Sequence, residues 1–100
     1  MIGYKATDKD GKCQGYQYDL PKGGSPGDWH EYPGAVIMCV SGFHFCENRT
    51  GPRFYYPERG ARLWEMEADG VLDEKRGCGV AKKRACKRIR FLAEIITKGG

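Results

Sequence analysis

No stretch of the chain approaches the roughly 20 apolar residues that a membrane-spanning helix needs. The opening Met1-Ile2-Gly3-Tyr4-Lys5 lacks the apolar core of a signal peptide, so a cytoplasmic protein with no membrane role is expected. Cysteine is present in an odd set of five: Cys13, Cys39, Cys46, Cys78 and Cys86. Without a secretion signal, that set points to free thiols rather than a disulfide framework, and a buried thiol behaves as a small apolar group. Neither Cys39-x4-His44-x-Cys46 nor Cys78-x7-Cys86 has a familiar zinc spacing, so no metal site and no cofactor is expected. There is no internal repeat, and no apolar pattern holds for three helical turns before the last quarter.

What remains is a single domain over residues 1–100, punctuated throughout by Gly and Pro. A chain this short buries only about 60–70% of its unfolded surface, so pairing with a partner or a second copy would add stability. Ile2 to Ala6 reads as a first strand, Asp8-Lys9-Asp10-Gly11 as a turn, and Cys13 to Leu20 as a return strand forming a hairpin. A loop follows over residues 21–34, within which Trp29-His30-Glu31-Tyr32 pairs briefly at an edge. Ala35 to Val40 reads as a strand buried on both faces. Glu47 to Tyr56 includes a helical turn limited by Gly51-Pro52. Arg62 to Ala68 alternates, with Leu63, Glu65 and Glu67 on one face and Trp64, Met66 and Ala68 on the other. Val80 to Ile96 fits a short helix followed by a strand from about Lys87. The expected class is α+β: a small, mainly antiparallel sheet with one or two short helices.

Charge is divided unevenly. Residues 1–50 carry five Lys/Arg against six Asp/Glu, and residues 51–100 carry twelve against seven. Lys75, Arg76, Lys82, Lys83, Arg84, Lys87, Arg88 and Arg90 make a basic segment over residues 75–90. Such a cluster attracts phosphates or an acidic protein surface, or is simply a solvated face. No aromatic interleaves it before Phe91, which weighs against base stacking. Trp29 and Tyr32, beside a glycine-rich loop, are candidate interface anchors. His44 alternates with Phe43 and Phe45 near two cysteines. That is raw material for a nucleophile pair, although a structural histidine is the plainer reading. Glu65-x-Glu67 puts two carboxylates on one strand face, where burial could split their pKa values for acid–base work; a solvated strand face is the plainer reading.

The run Cys39-Val40-Ser41-Gly42-Phe43-His44-Phe45-Cys46-Glu47-Asn48 resembles a motif of an uncharacterised family of phages, prophages and bacteria, DUF7666. Tyr4-Lys5-Ala6, Cys13 to Tyr18, Tyr55-Tyr56-Pro57 and Arg62 to Ala68 with Gly70 extend that resemblance from Tyr4 to Ile95. The chain departs from the family in its longer loop before Gly34 and in Thr50-Gly51-Pro52, where a better helix former is usual. The family's function is not established. The resemblance implies a mobile-element accessory protein that binds a host protein or nucleoprotein without catalysis, as a counter-defence protein would. Two rivals stand beside it. One is direct nucleic-acid binding through Lys82, Lys83, Arg84, Lys87, Arg88 and Arg90. The other is a small enzyme built on His44, Tyr55, Tyr56, Glu65 and Glu67, whose order loosely resembles that of ADP-ribosyltransferase folds. That fold's first-strand Arg or His finds no counterpart.

Overall fold

A computed structural model describes residues 1–37, 41–49, 52, 60–72 and 83–96. Seven strands follow in order: β1 (Ile2–Thr7), β2 (Lys12–Cys13), β3 (Tyr16–Gln17), β4 (His30–Glu31), β5 (Phe43–Cys46), β6 (Arg62–Val71) and β7 (Lys83–Ile95). Among the described residues there is no helix, so the expected α+β class is corrected to a β-sheet fold. The helical stripe expected at the start of the last segment fails from residue 83, where β7 already pairs with β5. Two neighbouring strands offer hydrogen bonds along β7, which outweighs a weak local helical pattern. Most of the turn expected over 47–56 lies outside the described residues.

All pairings are antiparallel. β1 lies between β5 and β6, and β7 closes the circuit by pairing with both of them. One edge of β7 runs along β6 from Cys86 to Ile95; the other takes β5 and then β4. Because both edges of β1 are taken, the hairpin expected between Ile2–Ala6 and Cys13–Leu20 does not form. The latter segment instead folds on itself through Gln14 (φ 51°) and Gly15 (φ 80°), pairing β2 with β3. Two successive residues at positive φ form the type I′ turn that suits a two-residue hairpin. The buried strand expected over 35–40 is also absent in its described part. Ile37 makes one bridge to Ser41 and is 52% exposed.

The core explains the closure. Phe91 is stacked between Tyr18 at 4.8 Å and Trp64 at 5.3 Å, both pairs with an interplanar angle of 18°. Phe43, Phe45, Met66, Cys86 and Ile89 complete the cluster. Full burial of a side chain of this size contributes about 1.5–3 kcal/mol. The polar edge of Trp64 is satisfied, since its Nε1–H donates to Thr7 Oγ1 at 2.9 Å. Gly3 is required here: a Cβ on it would lie 2.4 Å from the Phe45 ring.

Candidate functional site: a tyrosine-walled cleft around Lys5

Register places Lys5 in a position its local sequence disguises. On β1, Ile2, Tyr4 and Ala6 look like the apolar face, with Lys5 turned to water. Lys5 instead lies directly opposite Trp64 on β6, and Gly3 opposite Met66. Residues directly opposite across an antiparallel pair project to the same face. Lys5 therefore sits on the core side of β1.

Above it opens a cleft of about 530 Å³, inside the range of small-molecule sites. Tyr16, Tyr18, Tyr32, Phe43 and Phe45 supply its aromatic surface. Lys5, Gln14, Glu31, His44 and Lys83 supply its polar atoms. Tyr16 is held in place by the ring of His30. The Asp19 backbone N–H donates to His30 Nε2 at 2.9 Å, so that nitrogen is unprotonated. His30 Nδ1–H then donates to the Tyr16 hydroxyl oxygen, 2.9 Å away. The Tyr16 ring packs edge-on against Phe43 at 5.5 Å and stays 43% exposed, leaving surface for a ligand.

The Lys5 ammonium donates to the His44 carbonyl oxygen and lies 5.7 Å from the Tyr18 ring centroid. Among the described residues no carboxylate is within ion-pairing distance of it. Burial holds its pKa below the ordinary lysine value, and nearby Lys83 acts in the same direction. Two of the thiols near it carry no compensating charge. Burial pushes Cys46 up to about 11 and Cys86 up to about 12, so both are neutral at pH 7. His44 is also held below the usual histidine value, first by burial and then by Lys83 and Lys5. The result is an ammonium with no carboxylate paired to it among the described residues.

The residues singled out from sequence are distributed between two places. His44, Tyr32 and Lys83 line the cleft. Glu65 and Glu67 do not. Glu65 lies opposite Tyr4 on the other face of β1, and Glu67 accepts two hydrogen bonds from Arg90 at 2.9 and 2.7 Å. Tyr55, Tyr56 and Lys82 lie outside the described residues, as do Lys75, Arg76, Cys39 and Cys78. The described cations of the 84–90 stretch are engaged within the protein. Arg84 is buried, donates to the Leu72 carbonyl oxygen at 2.8 Å and lies 3.8 Å from Glu47. Lys87 donates to the Gly34 carbonyl oxygen at 2.8 Å. Arg88 lies between Glu31 at 3.7 Å and Asp69 at 3.3 Å, its opposite numbers on β4 and β6. Trp29, a candidate anchor, stacks under Arg88 at 4.6 Å and Arg90 at 4.8 Å, which ties it to β7.

Cys13, Cys46 and Cys86 are free thiols, and among the described residues no three His, Cys, Asp or Glu side chains cluster as metal ligands would. No described helix is long and apolar enough to cross a membrane. The model of a family described as a domain of unknown function, DUF7666, matches residues 1–99. No curated protein and no solved structure matches the chain.

Proposed function

The chain belongs to that family, and since its description assigns no activity, we propose from the geometry that the protein acts by binding, with the cleft around Lys5 as its recognition site. The observation that carries this reading is the Lys5 ammonium at an aromatic-walled concavity, with no carboxylate paired to it among the described residues. A half-buried ammonium with no carboxylate partner among the described residues is unfavourable for the fold alone, so a cleft built around one favours a function for it. Catalysis is the weaker reading, because the Glu65/Glu67 pair lies away from the cleft and Glu67 is committed to Arg90. Nucleic-acid binding along residues 84–90 is weaker too, because those arginines face carboxylates that would repel phosphate. The wider role we attach to the chain is that of a mobile-element accessory protein capturing a host component, which its small size and preformed cleft suit.

A photo-crosslinking phenylalanine analogue placed at Tyr32, with Arg88 as the control position, tests this in cells. Intact mass should show a discrete adduct from position 32 and none from position 88, whatever the adduct's size. Adducts from position 88 alone would move recognition to the β6–β7 face. NAD turnover lost in Glu67→Gln would replace binding with catalysis.

A further inference from the structure

We propose that the cleft takes a planar aromatic ring bearing an anionic group, of the free nucleoside monophosphate type, with Lys5 as counter-cation. This inference rests on the cleft being the recognition site and adds the chemistry of its occupant.

The charge argument comes first. Lys5 has three N–H donors, and the His44 carbonyl takes one of them. The Cys46 and Cys86 thiols near it are neutral, and among the described residues no carboxylate pairs with it. Lys83, a second cation, lines the same cleft. One carboxylate also lines it, that of Glu31, but this lies within 3.7 Å of Arg88 and so is partly offset. An incoming anion would restore to Lys5 what burial removed, in a setting where charge-assisted hydrogen bonds are strong. A cationic ligand would meet Lys5 unfavourably.

The shape argument is independent. The exposed Tyr16 ring and the Tyr32 ring both stand edge-on to Phe43, at 5.5 and 6.2 Å, forming a wall of flat π surfaces. Such surfaces favour stacking by a planar ring, and do so without selecting a particular base. A volume of about 530 Å³ admits one ring with its appended anion rather than a folded partner's surface. Tyr16 is held by His30, so little ordering is required when the ligand arrives.

The test uses calorimetric titration of the whole protein with AMP, adenosine and inorganic phosphate, on wild type, Lys5→Met, Tyr16→Leu and Arg90→Met. AMP should bind wild type and Arg90→Met alike. Lys5→Met should weaken AMP by about 10-fold or more, the scale of one charge-assisted hydrogen bond, and leave adenosine unchanged. Tyr16→Leu should weaken AMP and adenosine together. Lys5→Gln, which keeps a donor for the His44 carbonyl without the charge, repeats the test should Lys5→Met fold poorly. Equal AMP affinity in wild type and Lys5→Gln would overturn the proposal, as would adenosine binding as tightly as AMP. A 5′-phosphorylated oligonucleotide binding about 10-fold tighter than AMP would assign the site to strand ends and overturn the free-nucleotide source. No binding by any of these, with the position-32 adduct still present, would overturn the ligand class and leave recognition at the cleft standing. Loss of both would overturn both.

Discussion

On the β6–β7 face, Arg62, Arg88 and Arg90 lie 2.8, 3.3 and 2.7 Å from Glu94, Asp69 and Glu67, whereas Lys5 in the cleft has no carboxylate beside it among the described residues. The two regions carry the same sign of charge under opposite conditions. The arginines are about a third exposed and their carboxylates a third or more, except Glu94 at 29%. Those charges are hydrated and balanced, so they mainly fix strand register and contribute little stability each. Lys5 lines the cleft half-buried, with no carboxylate paired to it among the described residues, and is positioned to respond to a ligand. The number of cations in a sequence window is thus a poor guide to where unsatisfied charge lies.

The largest expected effect reverses sign between the regions. Removing an enclosed, unpaired cation relieves a desolvation penalty, so Lys5→Met should raise unfolding free energy by about 1–2 kcal/mol after the lost His44 bond. Arg90→Met breaks a two-hydrogen-bond contact to Glu67 and the stacking on Trp29, and should lower it by about 1 kcal/mol. Urea denaturation of the two variants decides. Destabilisation by Lys5→Met equal to that of Arg90→Met would make Lys5 an ordinary structural residue.

This contrast also marks what was legible in the sequence. The alternation of Trp64 to Ala68 was readable because Trp64, Met66 and Ala68 are buried and alternate with the charged Glu65 and Glu67, whereas Leu63, on the carboxylate side, is itself buried. The brief edge pairing within Trp29 to Tyr32 and a final strand were also readable, the latter from its β-branched content, although β7 begins at Lys83 rather than near Lys87. The orientation of β1 was not. Ile2, Tyr4 and Ala6 mimic an inward face, yet Ile2 is 49% exposed, because β6 fixes the register and turns Gly3, Lys5 and Thr7 inward. The signal available was Gly3: a glycine within a strand marks a close approach, here by Phe45. The Gln14–Gly15 turn was hidden by the apparent alternation of Tyr16, Tyr18 and Leu20. The compensation of the basic stretch was unreadable, since Glu31, Asp69 and Glu67 reach it only through long-range pairing.

Acid should separate the two regions by pH window. Burial holds His30 and His44 below the unfolded histidine value of 6.5. Between that value and the lower folded one, the unfolded chain binds more protons than the folded chain. Stability is therefore complete above pH 6.5 and falls as pH drops toward the folded values, by up to about 1.4 kcal/mol per pH unit per histidine. Protonating His30 also ends its acceptance of the Asp19 N–H, which loosens the Tyr16 wall. On the other face, hydrogen bonds from Arg62 hold Glu94 below 4.5, so its contribution is present above that value and lost below it. Stability measured against pH should show a first limb from about 6.5, reduced in His30→Gln, and a second below about 4.5, reduced in Arg62→Met. A first limb unchanged by His30→Gln would remove His30 as its source.

The smallest effect concerns salt, and it tests whether the balanced face is as inert as its geometry implies. Each exposed pair contributes about 0.2–1 kcal/mol, and the Debye length falls from about 10 Å at 0.1 M salt to about 3 Å at 1 M. Glu67→Gln leaves the Arg90 guanidinium with a neutral acceptor of the same shape. It should cost a few tenths of a kcal/mol at low salt and nearly nothing at 1 M. The Trp29 contact should persist, since cation–π stacking of a flat guanidinium on an indole also buries surface. Lys5 responds differently, because its desolvation is set by protein around it rather than by ions in solution. The stabilisation produced by Lys5→Met should therefore be almost the same at both salt concentrations. Measuring unfolding free energies of Glu67→Gln and Lys5→Met at 0.1 and 1 M sodium chloride gives four differences. A Lys5→Met gain that vanishes at high salt would show its ammonium to be solvent-screened and would erase the distinction between the two faces.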